Sequence, residues 1–325
     1  MSRGQVFLAV KLMSLFEIKN RLENKVVLIT GGTSGIGRAT ALAFAEAGAR
    51  IVIADIREQP IGDDAPTVDI IRQRGGSALF VQTDVAQKSQ VAIFVDRALQ
   101  EFGRVDILVN NAGFGHISLV EHTPDELLRR LLAVNFCGVV YGVQTVLPIM
   151  RNQGSGHVIN ISSGAAVLGL PYAGIYAATK AAIARFSEAL RYELEGTNIH
   201  VSVIYPDFTS TDLAFEVALD REAPLVTVRS LSPQWVVKQG SPKARLQSPE
   251  KVARAVVACA LHPCREVYLT GRIRFHGLFR RLCPALVDRE ANRIKMSVRE
   301  LLARVEREEI QKEKTKTSQD RRIIH

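Results

Sequence analysis

From residue 25 onward, short apolar runs alternate with longer amphipathic stretches. "KVVLIT" (25–30), "RIVIAD" (50–55), "ALFVQTD" (78–84), "VDILVNN" (105–111), "GHVINISS" (156–163), "IHVSVIYP" (199–206) and "EVYLT" (266–270) are rich in β-branched residues and almost unbroken in their apolarity. Strands buried on both faces read this way. Between them, "GIGRATALAFAEAGA", "TVDIIRQRG", "SQVAIFVDRALQEFG", the stretch from Pro124 to about Asn152, "GIYAATKAAIARFSEALRYELEG" and "SPEKVARAVVACALH" carry helical spacing, the fourth broken near Gly138. Strands alternating with helices of this length predict an α/β domain: a doubly wound parallel sheet of about seven strands, flanked by helices on both faces.

Three stretches fall outside that rhythm. Residues 1–24 form an N-terminal extension whose apolar part, "VFLAVKLMSLF", contains Lys11 and is too short to span a bilayer. It also lacks a small-residue cleavage site, so a signal peptide is not expected, and Met13 offers an alternative start. Residues 207–248 show little periodicity and hold Pro224, Pro233, Pro242 and Trp235, as a substrate-binding loop would. Residues 272–325 carry most of the net charge of +9. Their alternation of Arg and Glu reads as a solvated basic helical tail laced with i,i+4 ion pairs. The segment "FHGLFRRLCPALV" (275–287) adds an amphipathic candidate for weak membrane-surface contact. The α/β domain is therefore expected over 25–271.

Charge concentrated in a tail, with a near-neutral body, argues against a nucleic-acid binder. The four cysteines, Cys137, Cys259, Cys264 and Cys283, form no metal-ligand pattern and are expected as free thiols in a reducing, cytoplasmic setting. Cys259 and Cys264 are spaced too loosely to suggest a disulfide.

The first strand runs directly into Thr30-Gly31-Gly32-Thr33-Ser34-Gly35-Ile36-Gly37 and then a helix. Glycines there let backbone amides approach a pyrophosphate, and the helix N-terminus adds free N–H donors. A glycine cluster alone is only a tight turn; the strand before it and the helix after it make it a dinucleotide site. Asp55 ends the second strand, where a carboxylate can accept from both hydroxyls of an adenosine ribose and would repel a 2′-phosphate. That favours NAD over NADP, although Arg57 lies two residues on.

Tyr176 and Lys180 lie at i and i+4, on one face of a helix. A nearby ammonium favours the phenolate, which a free tyrosine with a pKa of about 10 does not reach near neutrality. Ser163, 13 residues earlier, sits at the carboxyl end of the fifth strand, where ligands bind in open α/β sheets. Ser162 alternates to the other side and ranks second. Asn135, within helical sequence, is a poor helix former without a role.

Together, "TGGTSGIG", "TDV" (83–85), "NNAG" (110–113), Asn135, Ser163 and "YAATK" resemble the short-chain dehydrogenase/reductase family, in its order and spacing, over about residues 25–270. The resemblance implies a Rossmann-type fold, hydride transfer between a nicotinamide cofactor and an alcohol or ketone, and assembly as a homodimer or homotetramer. It implies that Tyr176 is the general acid/base and that Lys180 lowers its pKa and holds the nicotinamide ribose. Ser163 orients the substrate oxygen, and Asn135 positions a water in a proton relay with Lys180. Asp84 and Val85 flank the adenine, while Asn111, Ala112 and Gly113 lie beside the cofactor. Gly31, Thr33, Ser34, Gly35, Ile36 and Gly37 cradle the phosphates; Pro206, Thr209 and Thr211 reach the nicotinamide. One departure stands out: Asp207 follows Pro206 where the family usually has glycine.

Phe208, Leu213, Phe215, Leu219, Leu225 and Trp235 in the long loop suggest an apolar substrate, unless they only pack the loop to the body. Two other readings stay open: an NADP-dependent reductase of keto-lipids at a membrane surface, and a dinucleotide sensor without turnover.

Overall fold

The computed structural model describes residues 20–60, 64–210, 214–217, 226–229 and 247–323. Thr211, Leu213, Leu219, Leu225, Trp235 and most of the N-terminal extension lie outside them, as does the side chain of Phe215.

Seven parallel strands build the central sheet: β1 (Val26–Thr30), β2 (Arg50–Asp55), β3 (Ala78–Gln82), β4 (Ile107–Asn110), β6 (Gly156–Ile161), β7 (Ile199–Tyr205) and β10 (Glu266–Tyr268), in the order β10-β7-β6-β4-β1-β2-β3. Every strand of β1 to β7 in this sheet is followed by a crossover, because parallel neighbours cannot be joined by a tight turn. The chain winds outward from β1 in one direction through β2 and β3, then in the other from β4. The crevice at this reversal, past the carboxyl ends of β1 and β4, is where open sheets bind ligands.

Alternate residues of each strand feed separate cores. Val27 and Ile29 of β1 pack with Phe44, Ile53 and Val256 on one face. Val26 and Leu28 pack with Val52, Phe94, Val146 and Val158 on the other. The first face is covered by α1 (Gly35–Glu46), α2 (Thr67–Gln73) and α7 (Pro249–Leu261). The second is covered by α3 (Lys88–Phe102), α5 (Gly138–Gln153) and α6 (Gly174–Glu193), while α4 (Asp125–Leu132) packs through Leu127 and Leu131 on Phe114 and Ile175. Burying one Ile or Phe contributes about 1.5–3 kcal/mol, so these two layers are the main source of stability. Helix α7 starts as its sequence suggests, with Ser248 Oγ accepting from Lys251 N and Pro249 in the first turn. The stretch Asp125–Gln153 is long and apolar enough to cross a membrane by composition, yet it buries Val139, Val143, Val146 and Met150 in the body.

Three features differ from the pattern-based expectation. The break placed near Gly138 is a π-helical turn, Ala133–Cys137, in which the helix widens instead of stopping. A second sheet joins β5 (Gly115–Ile117) in parallel to β8 (Ala214–Val217), which pairs antiparallel with β9 (Val226–Arg229). Two of its strands come from the stretch expected to lack periodicity; four-residue runs are too short to show a period, and pairing across the chain defines them. The basic tail is helical, as α8 (Gly271–Leu282) and α9 (Pro284–Ile323), but α9 is not solvated all round. Its Ile294, Val298, Leu302 and Val305 pack on Ile117, Tyr172 and Val226. Cys259 and Cys264 are free thiols, as expected, and their sulfurs come within 3.5 Å where the chain folds back after α7.

Candidate active site

A cavity of about 790 Å³ opens at the carboxyl ends of β1, β4, β6 and β7 and extends beneath α8 and α9. Gly31, Ser34, Gly35 and Ile36 form one end, and Ser163, Tyr176 and Lys180 form its middle. Asp55, Asp84, Val85, Asn111, Ala112, Gly113, Pro206 and Thr209 also line it. Thr33, Gly37 and Asn135 do not line it; they hold the groups that do.

The glycine turn is tightly constrained. Gly31 and Gly35 have φ of +66° and +51°, which disfavours any side chain. A Cβ on Gly37 would lie 1.9 Å from Gly31 O and 2.6 Å from Asn111 Nδ2, so α1 can approach the turn this closely only with glycine there. Asn111 ties the turn to the end of β4, donating from Nδ2 to Thr30 O and Gly31 O at 3.0 Å each. Ser34 at the start of α1 makes no side-chain cap, so the first-turn N–H groups are left for a ligand. Asp55 Oδ2 accepts from Thr33 Oγ1 at 2.6 Å and from Thr33 N, which sets the carboxylate against the turn. Thr33 thus acts through Asp55. Asp84 accepts from Ala86 N at 2.9 Å, which fixes the loop after β3. This uncapped amide cradle beside a carboxylate fits the diphosphate and ribose of a dinucleotide.

In the middle of the cavity, Tyr176 and Lys180 share the inner face of α6 and are 9% and 5% exposed. Ser163 and Tyr176 are hydrogen-bonded to each other. Ser163 leads out of β6, and its Oγ accepts from Ala165 N at 3.1 Å. Ser162 faces the other way, donating to Lys180 O at 2.8 Å. Lys180 Nζ donates to Ile161 O at 3.1 Å and lies 5.9 Å from the Tyr176 ring centroid. Burial dominates both ionisations. It pushes the Tyr176 hydroxyl above its ordinary value, opposed by the hydrogen bond from Ser163. It brings the Lys180 ammonium down to about 8.

Asn135 is held through its side chain. The π turn aims its side chain at the segment after β4: Nδ2 donates to Phe114 O at 2.9 Å and to Thr179 Oγ1 at 3.3 Å, while Oδ1 accepts from Phe114 N at 3.0 Å. With both amide hydrogens committed, any link from Asn135 to Lys180 through water must use its main chain.

Asp207 does not disturb the turn after β7. Among the described residues only Asn20, Asn24 and Tyr172 are non-glycine with positive φ, so position 207 does not need glycine here. Its carboxylate accepts from Phe208 N, from Thr270 Oγ1 at 3.0 Å and from Arg272 Nη2 at 2.9 Å. It therefore fastens the start of α8 to the site.

Sequence reasoning missed the far wall: Ile117, Ile273, His276, Ile294 and Val298 line the cavity opposite the glycine turn. The signal was present as spacing, since Val287, Ala291, Ile294, Val298, Leu302 and Val305 recur at three or four residues along α9. The heavy charge between them obscured it.

A dinucleotide cradle at the sheet's reversal point, with a Ser–Tyr–Lys group beside it, defines a nicotinamide-dependent α/β oxidoreductase. The short chain dehydrogenase profile matches residues 25–222, and the chain belongs to that family. It is therefore an enzyme acting on CH–OH groups with NAD(P). An uncharacterized oxidoreductase of Thermotoga maritima is 34% identical over 256 residues, 77% of this chain and 95% of that one. A short-chain dehydrogenase/reductase from Burkholderia phymatum, solved in complex with NAD, superposes with a TM-score of 0.69 at 30% identity, covering 82% of this chain and 95% of that one. A 3-ketoacyl-(acyl-carrier-protein) reductase from Brucella melitensis, complexed with NADH, gives 0.63 at 28% identity, covering 76% and 97%.

Proposed function

We propose that this enzyme interconverts a secondary alcohol and a ketone, with NAD as the preferred dinucleotide and an apolar substrate. The observation that carries the reading is the single cavity in which the Ser163–Tyr176 hydrogen bond lies between the glycine cradle and an apolar wall. When bound, a nicotinamide dinucleotide supplies the hydride acceptor or donor. Ser163 and Tyr176 bind the substrate oxygen. In oxidation the Tyr176 phenolate takes the alcohol proton; in reduction the hydroxyl returns it to the nascent alkoxide. The Lys180 ammonium favours the phenolate electrostatically and holds the ribose. Asn135 acts as a positioning residue, keeping Phe114 and Thr179 in place.

Asp55, set at the end of β2, accepts the ribose hydroxyls and repels a 2′-phosphate. Asp84 and Val85 flank the adenine. Ile117, Ile273, Ile294 and Val298 take the apolar part of the substrate, which supports the expectation drawn from the loop by a different set of residues. We infer a homodimer or homotetramer through α4–α5 and α6, to be checked by light scattering.

Calorimetry of NAD and NADP binding to the wild type and to Asp55→Ala tests the cofactor assignment. NAD is expected to bind at least about tenfold tighter, with the preference narrowed in Asp55→Ala, since repulsion between the Asp55 carboxylate and a 2′-phosphate is worth more than about 1.4 kcal/mol. Tighter NADP binding overturns it and favours the reductase alternative. Tight binding with no turnover on a panel of apolar alcohols and ketones restores the sensor reading.

A further inference from the structure

Helix α9 is two-faced. Its inward face, through Ile294, Val298, Leu302 and Val305, closes the cavity and packs on the body. Its outward face carries Leu286, Arg289, Arg293 and Met296, spaced three, four and three residues apart, all exposed. On a helix of 3.6 residues per turn these two sets lie nearly opposite each other. Phe275 and Leu282 of α8 lie seven residues apart, so on one face, just before the turn into α9. Phe275, Leu282, Leu286 and Met296 are 48–69% exposed, four of the ten large apolar side chains left in water among the described residues. Exposed basic residues Arg274, Arg289 and Arg293 flank them. Over residues 272–299 the sequence has eight Lys/Arg and two Asp/Glu.

We propose that this outer face of the α8–α9 hairpin docks on an anionic lipid bilayer. Apolar side chains ringed by arginine match an interface in which the side chains enter the acyl boundary and the guanidinium groups stay at the headgroups. Charge complementarity selects this occupant: a second copy of the chain would bring the same strongly positive face against itself. The cavity lies directly beneath the hairpin, so an apolar substrate would pass from the lipid to Tyr176 across the thickness of one helix, about 10 Å. Docking itself does not depend on the reaction assigned above.

The test is flotation of the full chain with vesicles of pure phosphatidylcholine, or with a third of the lipid replaced by phosphatidylglycerol. Wild type is compared with the triple variant Phe275→Gln/Leu282→Gln/Leu286→Gln, whose fold is checked by circular dichroism and NAD binding. Wild type is expected to float with the anionic vesicles only, and to be released by high salt, since each basic side chain near the surface contributes about fivefold. The variant is expected to bind more weakly by at least about tenfold. No flotation of the wild type overturns the proposal, as does equal binding to neutral vesicles. Equal flotation of the variant also overturns it, and moves the contact elsewhere, for example to the apolar N-terminal stretch. A self-associating wild type made smaller by the substitutions in gel filtration makes a second copy the occupant.

Discussion

Replacing Lys180 with methionine is expected to stabilise the cofactor-free fold at neutral pH while removing activity. The ammonium is 5% exposed and its one hydrogen-bond partner among the described residues is Ile161 O at 3.1 Å, too little to replace its hydration. Burial brings its pKa from 10.5 to about 8. That depression corresponds to about 3 kcal/mol of destabilisation whenever the group is charged in the folded state. The sign follows from proton counting. Between the folded and unfolded values the unfolded chain holds a proton that the folded chain lacks, so wild-type stability rises with pH through about 8 to 10.5. Methionine has similar length and no charge, so its advantage is greatest below about pH 8 and fades above it. Orphaning the Ile161 carbonyl costs about 1 kcal/mol at every pH, which offsets the gain without altering its slope. Urea unfolding of both proteins at about pH 7 and about pH 9.5 should show the stability difference shrinking by about 2 kcal/mol across that window. A difference that stays flat, or one that grows with pH, would refute the reasoning. Turnover of the variant should fall at least about a hundredfold at both pH values.

The glycine cradle offers a steric prediction. Gly37→Ala places a methyl group 1.9 Å from Gly31 O and should cost about 1–3 kcal/mol and most dinucleotide binding, whereas Gly169→Ala, with open space around it, should leave melting temperature and affinity unchanged. Asp207→Gly restores the residue common in the family but releases Thr270 and Arg272; it should lower stability by about 1–2 kcal/mol and expose the α7–α8 connection to limited proteolysis. Val298→Ala removes part of the cavity wall and should cost about 1–2 kcal/mol in denaturant unfolding. It should raise KM for longer apolar substrates more than it lowers kcat.

Much of the site was legible in the sequence because its parts are local. The glycine turn depends on backbone conformation over a few residues next to a strand end, and Tyr176 and Lys180 share a helix face by spacing alone. Asp55 ends one strand, and Asn111 and Ser163 follow two others, each an apolar run that the alternation of elements marks. What could not be read was how side chains remote in sequence share a partner. Asn135 grips Phe114 from a π turn that no residue type announces. Asp207, read as a disturbance, turns out to be satisfied by Thr270 and Arg272, sixty residues away in the chain.

The tail shows the division most clearly. Its charge and helical periodicity were written in residues 272–325, because propensity and i,i+4 pairing are properties of one helix. Whether a face of that helix is wet depends on what lies opposite it. The charges between Val287, Ala291, Ile294, Val298, Leu302 and Val305 obscure that stripe, and only the placement of Ile117 and Tyr172 against it makes α9 a wall of the cavity. Local sequence encodes the elements, the glycine turn and the helix face that Tyr176 and Lys180 share. Which segments enclose the cavity is set by long-range packing, since burial is a relation between distant segments and no single segment encodes it.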